Sequence, residues 1–562
     1  MKGTLILAGA ALVARVLGVV QRIPLQRLLD DAGMATYVTS YNVYMWLLVL
    51  ATAGFPSAIA KLVSEKYAIG RPDEGEAIRR AALRYSLAAG VCATALVYAL
   101  APALAALNED PNATLAIRAL APALLLFPWI AVERGYFHGR QRMGANGLSQ
   151  VWEQMFRVVT SIVFAYALLE LGFGLAWAAA GASFGGVLGA VAAAVVMLVY
   201  GAKLRREEAA PARAAAAGGG SDAVAVPMTA TLTPEGGVSA NAAATADVSS
   251  FRAIFRAILK LSIPVSVTAL AVPTVYLIDS LVTKPMLTPA FGADLAQEMQ
   301  GWLTGRAQAL AGIPVIFAIA LSQSILPIIS SAFIRGEREE VERQTGLALR
   351  MTLLSGVPVA CVLAVSSFSL NTFVFKDAEG SWVIAAMVAT VLFQVVMMTS
   401  GSILLGLGKP ALPMRHIALG VALKLVLSLA LAPLFGIYGI VAGTAACFAL
   451  TMALNLRALR GLVAYSVFGG RVAPFAVTAA AQAAVGAAIG WASYEYVHPF
   501  GVTFWDAFVQ TALTAGAAAA LYPALLLRTG AFKAEDAAAL PPKARRLWER
   551  AEPTLRRLRL VR

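Results

Sequence analysis

GTLILAGAALVARVLGVVQRIPLQRL, residues 3–28, is long and apolar enough to cross a bilayer, yet it holds Arg15 and Arg22, with Arg27 near its far end. On a helix, steps of three, seven and eleven residues from Arg15 reach Gly18, Arg22 and Gln26 and nearly close whole turns, so the four share one face. A guanidinium at mid-bilayer costs at least ~2.5–3.5 kcal/mol on the insertion scale. Two on one stripe should therefore face a wet cavity or a bound anion rather than lipid. The alternative is that Arg22 and Arg27 snorkel to the outer surface and Arg15 pairs with a buried carboxylate. The stripe points to a binding site for an anionic substrate inside a transporter.

The rest of the chain gives that helix a membrane setting. Of 562 residues, 59% are hydrophobic and only 14% charged, and the mean hydropathy is +0.74. A soluble protein of this length needs far more charge to cover its surface. Repeated apolar runs of about twenty residues imply an all-α polytopic membrane protein. The alternating ten-residue segments of a transmembrane barrel are not seen. The first run is too long for a cleavable signal, is broken by Arg15 and leads into another span.

Net charge is +14, but the Lys and Arg fall largely in alternate loops and in the C-terminal tail. That is the positive-inside pattern, so the membrane explains the basicity and no nucleic-acid partner is expected. Cys92, Cys361 and Cys447 lie within apolar runs, and His138, His416 and His498 are scattered, so no metal or other cofactor is expected.

About fourteen transmembrane helices are expected. They fall near 3–28, 37–62, 80–105, 115–135, 146–169 and 173–201, then 254–280, 302–330, 346–370, 381–405, 411–432, 436–456, 473–494 and 505–527. Even-numbered connections carry Lys61, Arg71, Arg140, Lys203, Arg335 and Arg457, whereas odd ones such as LDDAG and LNEDPNAT are poor in cations. Lys284 and Lys376 are exceptions, each near acids. Both termini should then be cytoplasmic, in a cell-membrane protein. Residues 1–201 form the first bundle, 202–250 a disordered cytoplasmic linker rich in Ala, Gly, Ser and Pro, and 251–457 the second bundle. Residues 458–528 supply two further helices, and 529–562 a basic tail that reads as an amphipathic helix on the inner leaflet.

The two bundles look duplicated in parallel. GFPSAIAKLVSEKYAIGRPDEGEAIRRAALR (54–84) matches SILPIISSAFIRGEREEVERQTGLALR (324–350), pairing Pro56 with Pro327 and Arg84 with Arg350. GYFHGRQRMGANGLSQVWEQMFRVV (135–159) matches ILLGLGKPALPMRHIALGVALKLVL (403–427), with Gly139 to Arg157 and Gly406 to Lys424 both eighteen residues apart. The expected architecture is two pseudo-symmetric six-helix bundles with a cleft between them, plus two C-terminal helices. The match puts Arg157 and Lys424 at one depth. Arg157 follows Glu153 by one turn, so a local ion pair is its alternative to lining a site. Lys424 has no carboxylate in its own span and implies a water-filled or anion-binding surrounding, and Arg306 is a further candidate. Asp279, near the outer end of the seventh span, is one of few membrane carboxylates, beside Glu133 and Glu153. Ser322 and Gln323 read as interhelical glue.

The first span, TAGFPSAIAKLVSEK (52–66) and RGYFHGRQRMGANGLSQVWEQMFRVV (134–159) together resemble the stage V sporulation protein B and YtgP group. That group sits in the polysaccharide-biosynthesis branch of the MATE-like (MOP) superfamily, and the similarity runs from residue 1 to about 527, interrupted by the linker. The resemblance implies a MurJ-type flippase that moves undecaprenyl-pyrophosphate-linked peptidoglycan precursor, lipid II, from inner to outer leaflet by alternating access. Cell-wall or spore-cortex synthesis would use it, with a link to that machinery left open and a monomer sufficient. By position, Arg15 and Arg22 match the cavity arginines of the family's first span, and Arg306 matches approximately in the eighth. The second span, YVTSYNVYMWLLVLATAGFP, lacks the family's cation there. Residues 473–527 would form a groove for the polyprenyl tail.

Physics points the same way. Arginine's planar fork suits phosphate, and an inside-negative potential favours moving anions outward by ~2.3 kcal/mol per charge per 100 mV. Coupling to Na⁺ or H⁺ stays open; no GxxxxGK[ST] loop suggests direct ATP drive. Rival readings are an exporter of other undecaprenyl-linked sugars and a MATE-type drug/cation antiporter, which wants a cavity carboxylate that the first two spans do not offer. An enzyme on the same lipid would show a convergent Asp/Glu/His set on an outer loop, and none is seen, so the chain is not expected to be an enzyme. A scaffold would not need aligned intramembrane cations.

Overall fold

The structure, a computed structural model, describes residues 2–52, 54–217 and 269–532, with positions 256, 258, 259, 262 and 266. Side chains at 2–8, 11–12, 211–217, 317, 320–324 and 327 lie outside the description, and with them the expectations for Ser322, Gln323 and Pro327. Every regular element among the described residues is helical. The first half holds α1 (Lys2–Thr52), α2 (Phe55–Ala68), α3 (Pro72–Leu107), α4 (Ala113–Leu120), α5 (Ala123–Gly139), α6 (Met143–Glu170) and α7 (Leu175–Ala217). The second holds α8 (Ala271–Phe291), α9 (Ala293–Gln300), a π-helical turn (Gly301–Ala307), α10 (Gln308–Ile334), α11 (Arg338–Val365), α12 (Ser367–Phe375) and α13 (Ser381–Gly406). It ends with α14 (Ala411–Phe435), α15 (Ile437–Leu462), α16 (Val472–Tyr496) and α17 (Thr503–Arg528). Helices of this kind satisfy their own backbone groups, which lipid demands. Ten stretches among the described residues are long and apolar enough to cross a membrane, and the first, Val13–Ala68, runs through two of the spans expected from sequence.

Three expectations change. LDDAG is not a loop: α1 continues through it, broken only at Asp30, whose φ of 53° and ψ of −173° kink the helix. The linker starts late, because α7 runs on to Ala217; on either side of Pro211, KLRREEAA and ARAAAA are made of strong helix formers. The remainder of the linker and the tail from 533 lie outside the described residues. Lys284, expected in the connection after a span ending at 280, is on α8 instead, which runs on through Pro285 and Pro289; it is buried, with Nζ donating to the Glu109 carbonyl at 2.7 Å. Membrane helices tolerate such prolines when neighbours recover the lost bonds.

The chain divides into two compact units, one of Met1–Gly18, Ser40–Ala103 and Asn112–Pro273, the other of Val19–Thr39, Leu104–Pro111 and Thr274–Arg562. In the first, α6 and α7 pack through small residues: a Cβ on Gly185 would lie 2.2 Å from Ser161 Oγ and 2.6 Å from its backbone nitrogen. In the second, α14 and α15 do the same, with a Cβ on Gly443 2.5 Å from Ser428 Oγ. The step that carries Arg157 to Lys424 also carries Ser161 to Ser428, so the two helix pairs share this contact. The second unit's core is built on α10, α11, α13 and α15, including Leu310, Val388, Ile403 and Ile440. A separate apolar cluster, Val357 with Phe475, Tyr522 and Leu526, seats α16 and α17 on α11.

Candidate substrate site

The cations singled out from sequence fall into two classes. Arg157, Arg306 and Lys424 each meet a carboxylate. Arg157 Nη2 donates to Glu153 Oε1 at 2.6 Å, the local pair that its spacing allows. Glu153 is shared: Arg134 Nη2 reaches its other oxygen at 2.8 Å and also binds Ser149 Oγ. On α5, Glu133 is likewise held by two of the three Arg79 nitrogens, at 2.7 and 3.1 Å.

Arg306 projects from the π-helical turn, where the extra residue per turn swings its guanidinium onto the kink of α1. Its Nε donates to Asp31 Oδ1 at 2.7 Å, Nη2 to Asp31 Oδ2, and the same Nη2 lies 2.8 Å from Asp377. Trp302 Nε1 and Gln26 Nε2 complete the Asp31 shell, at 3.2 and 2.6 Å. Gly301 permits this approach, since a Cβ there would fall 2.3 Å from the Asp31 carbonyl oxygen. Arg306 thus stands between two carboxylates rather than alone in a cavity. Asp31 was missed in the sequence, although paired aspartates inside an otherwise apolar stretch are a signal of a buried partner.

Lys424 differs most from expectation. It is fully buried, as is Asp279, and its Nζ lies 2.5 Å from Asp279 Oδ1 and 2.6 Å from Thr444 Oγ1. Gln308 Nε2 donates to the second oxygen of Asp279 at 3.2 Å. Its surrounding is an ion pair, not water. Asp279 sits in the interior of α8, which extends to Phe291, rather than near an outer end.

The second class is on α1. Arg15 is half-buried, and among the described residues no carboxylate pairs with it. One turn on, Gly18 faces α6, where a Cβ would be 3.2 Å from Gln154 Nε2. Arg22 Nη1 donates to the Thr304 carbonyl at 3.2 Å. Gln26, almost fully buried, is committed to Asp31. Arg27, exposed, donates to the carbonyls of Val374 and Phe373, both at 2.8 Å, and lies 5.9 Å from the Phe504 ring centre. No cluster of three metal-ligating side chains occurs among the described residues, and all three cysteines are free.

This helical chain has relatives among known proteins. The family model described as "Polysaccharide biosynthesis protein" matches residues 1–333. This chain belongs to that family. It is 26% identical over 459 residues to the uncharacterized membrane protein YabM of Bacillus subtilis strain 168, covering 82% of this chain and 80% of that one. It is 25% identical over 553 residues to the lipid II flippase MurJ of the same organism, covering 94% of each. Among solved structures, lipid II flippase MurJ in an inward closed conformation matches with a TM-score of 0.62 at 13% identity, over 93% of this chain and all of that one. That last likeness is one of fold; the ten apolar stretches and the Bacillus subtilis relative make this family member a multi-pass membrane protein.

Proposed function

We propose that this protein is a flippase of the MOP superfamily that carries lipid II from the inner to the outer leaflet of the cytoplasmic membrane, by alternating access and with both termini in the cytoplasm. The observation that carries the reading is Arg15, a half-buried guanidinium in an apolar helix with no carboxylate among the described residues. Such a charge is costly in a membrane unless it meets water or an anion. A pyrophosphate offers the acceptors that a guanidinium fork takes two at a time. Arg22, seven residues further along the same helix, donates to the Thr304 carbonyl and is the second residue proposed to act on phosphate. Arg157, Arg306 and Lys424 then act in the scaffold, because each is matched by an acid. The flippase name of the Bacillus subtilis relative supports transport rather than catalysis.

A second reading, export of another undecaprenyl-linked oligosaccharide, is favoured by the family's description, which names polysaccharide rather than peptidoglycan. Both substrates offer the same phosphate–polyprenyl handle. Liposomes containing the purified protein separate them: leaflet-resolved translocation of lipid II is expected, whereas movement of only the other oligosaccharide transfers the site to the second reading. Failure with both lipids removes the flippase assignment.

A further inference from the structure

The second half of α1, the turn after α3 and the start of α9 build a buried ladder of polar side chains, all of it within the second compact unit. Each rung takes one side chain from each element. In the first, Thr36 Oγ1 donates to Asp110 Oδ2 at 2.6 Å, and Gln297 Nε2 donates to the Ala32 carbonyl at 3.2 Å and to Asp110 Oδ2 at 3.3 Å. The second rung lies three residues on along both helices. There Gln300 Nε2 donates to Thr39 Oγ1 at 3.2 Å and to the Ser280 carbonyl at 2.7 Å, and Asn108 Nδ2 reaches the same Thr39 oxygen at 3.5 Å. The turn between Asn108 and Asp110 is fixed by its backbone: Glu109 takes a left-handed φ of 53°, and the Asp110 nitrogen donates to the Ala105 carbonyl at 3.0 Å. Lys284 Nζ holds the Glu109 carbonyl.

The ladder uses the amide nitrogens and leaves the amide oxygens over. Asn108 Oδ1, Gln297 Oε1 and Gln300 Oε1 are buried and meet no donor among the described residues. The two glutamines cannot exchange nitrogen for oxygen, because each nitrogen is held by a backbone carbonyl, which only accepts. Asn108 and Gln300 share Thr39, and an amide oxygen lies about 2.3 Å from its nitrogen, so both oxygens fall within about 6 Å of one atom. Such oxygens are satisfied only by a proton donor or a cation. One buried water has two protons for three amide oxygens and a carboxylate, whereas a hard cation gathers six or more oxygens. The acids of the turn, Glu109 and Asp110, set against Lys284, leave one negative charge, which a monovalent ion balances.

We propose that this ladder is a binding site for a hard monovalent cation of the Na⁺ kind, held by the side-chain oxygens of Asn108, Asp110, Gln297 and Gln300. The ion pins the turn after α3 to α1 and α9, and it completes hydrogen-bonded rungs that are otherwise half-used. Its role is to hold the ends of these elements together, whatever lipid the protein carries. The Asp279–Lys424 pair takes no part, since each of its members is already met by the other and by Gln308 or Thr444.

The test uses the full-length protein in detergent, freed of alkali ions in choline chloride. Replacing choline by Na⁺ at constant ionic strength should raise the melting temperature by at least about 2 °C and then saturate, as binding to the folded state requires. Gln300→Leu should remove the rise, and Asp279→Asn should keep it. No rise in the wild type means that the ladder holds water only and overturns the proposal. So does a rise that survives in Gln300→Leu or is lost in Asp279→Asn. If Gln300→Leu does not fold, Asn108→Asp replaces it. A second carboxylate should turn the site toward Ca²⁺, which then stabilises the variant at concentrations at least about tenfold below those that act on wild type; an unchanged ion response overturns the proposal. Crystals of the wild type soaked in Tl⁺, a heavy monovalent stand-in, should give an anomalous peak in contact with Gln300 Oε1, and a map without one contradicts the site.

Discussion

In the first half of the molecule Arg157 reaches back one turn to Glu153 and shares it with Arg134. In the second, Lys424 crosses from α14 to α8 to find Asp279. The difference follows from one position. The step that carries Arg157 to Lys424 carries Glu153 to Gly420, so the lysine has no carboxylate on its own helix and must take one from a neighbour. The backbone contact that packs each helix pair is unchanged, with Gly185 on Ser161 and Gly443 on Ser428. The two helix pairs are therefore alike in packing and unlike in charge: one holds its cation inside a local triad, and the other makes it depend on two helices staying together.

Breaking the long-range pair should have the largest effect. Lys424→Ala leaves Asp279 buried without its counter-charge and is expected to cost ~3–5 kcal/mol, whereas replacing both members by apolar residues of similar volume should be close to neutral. Thermal unfolding in detergent compares the two, and equal losses in both would contradict the pairing. Arg157→Ala should cost less, about 1.5–3 kcal/mol, because Arg134 still satisfies Glu153. A loss as large as that of Lys424→Ala would show that the triad is not locally buffered. Gly185→Ala and Gly443→Ala should each cost about 1–3 kcal/mol by forcing apart helices that now touch. Similar values in the two halves sharpen the claim of shared packing; a loss in only one breaks it. The smallest effect belongs to the surface pair Arg343–Glu340 near the start of α11, 2.7 Å apart, where Arg343→Ala should change stability by less than about 1 kcal/mol and by nothing measurable in high salt.

Much of the fold was readable because a membrane forces helices, and apolar runs mark them. The limits of α13, α16 and α17 fall within two residues of expectation. The failures have physical causes. Aspartates at LDDAG read as a loop because carboxylates are rarely placed mid-helix in lipid, but Asp31 is neutralised by Arg306, 275 residues away, and the helix is spared. Lys284 was misplaced for the same reason, its partner being a carbonyl 175 residues distant. Within the site, the pair with a one-turn spacing was legible and the two built across the chain were not. A cation's partner can be read from sequence only when it lies on the same helix, so Lys424 and Arg306 were taken for open cations. Arg15 differs from both in that no described acid reaches it.

The most direct test of the central claim is leaflet-resolved lipid II translocation in liposomes by wild type, Arg15→Lys and Arg15→Ala, with folding checked for each. Loss of a charged bidentate contact predicts a rate lowered about tenfold to a hundredfold in Arg15→Ala, and Arg15→Lys should recover only part of it, since lysine keeps the charge without the fork. Folded Arg15→Ala protein that moves lipid II as fast as wild type would contradict the account, because the substrate's phosphates would then be held elsewhere.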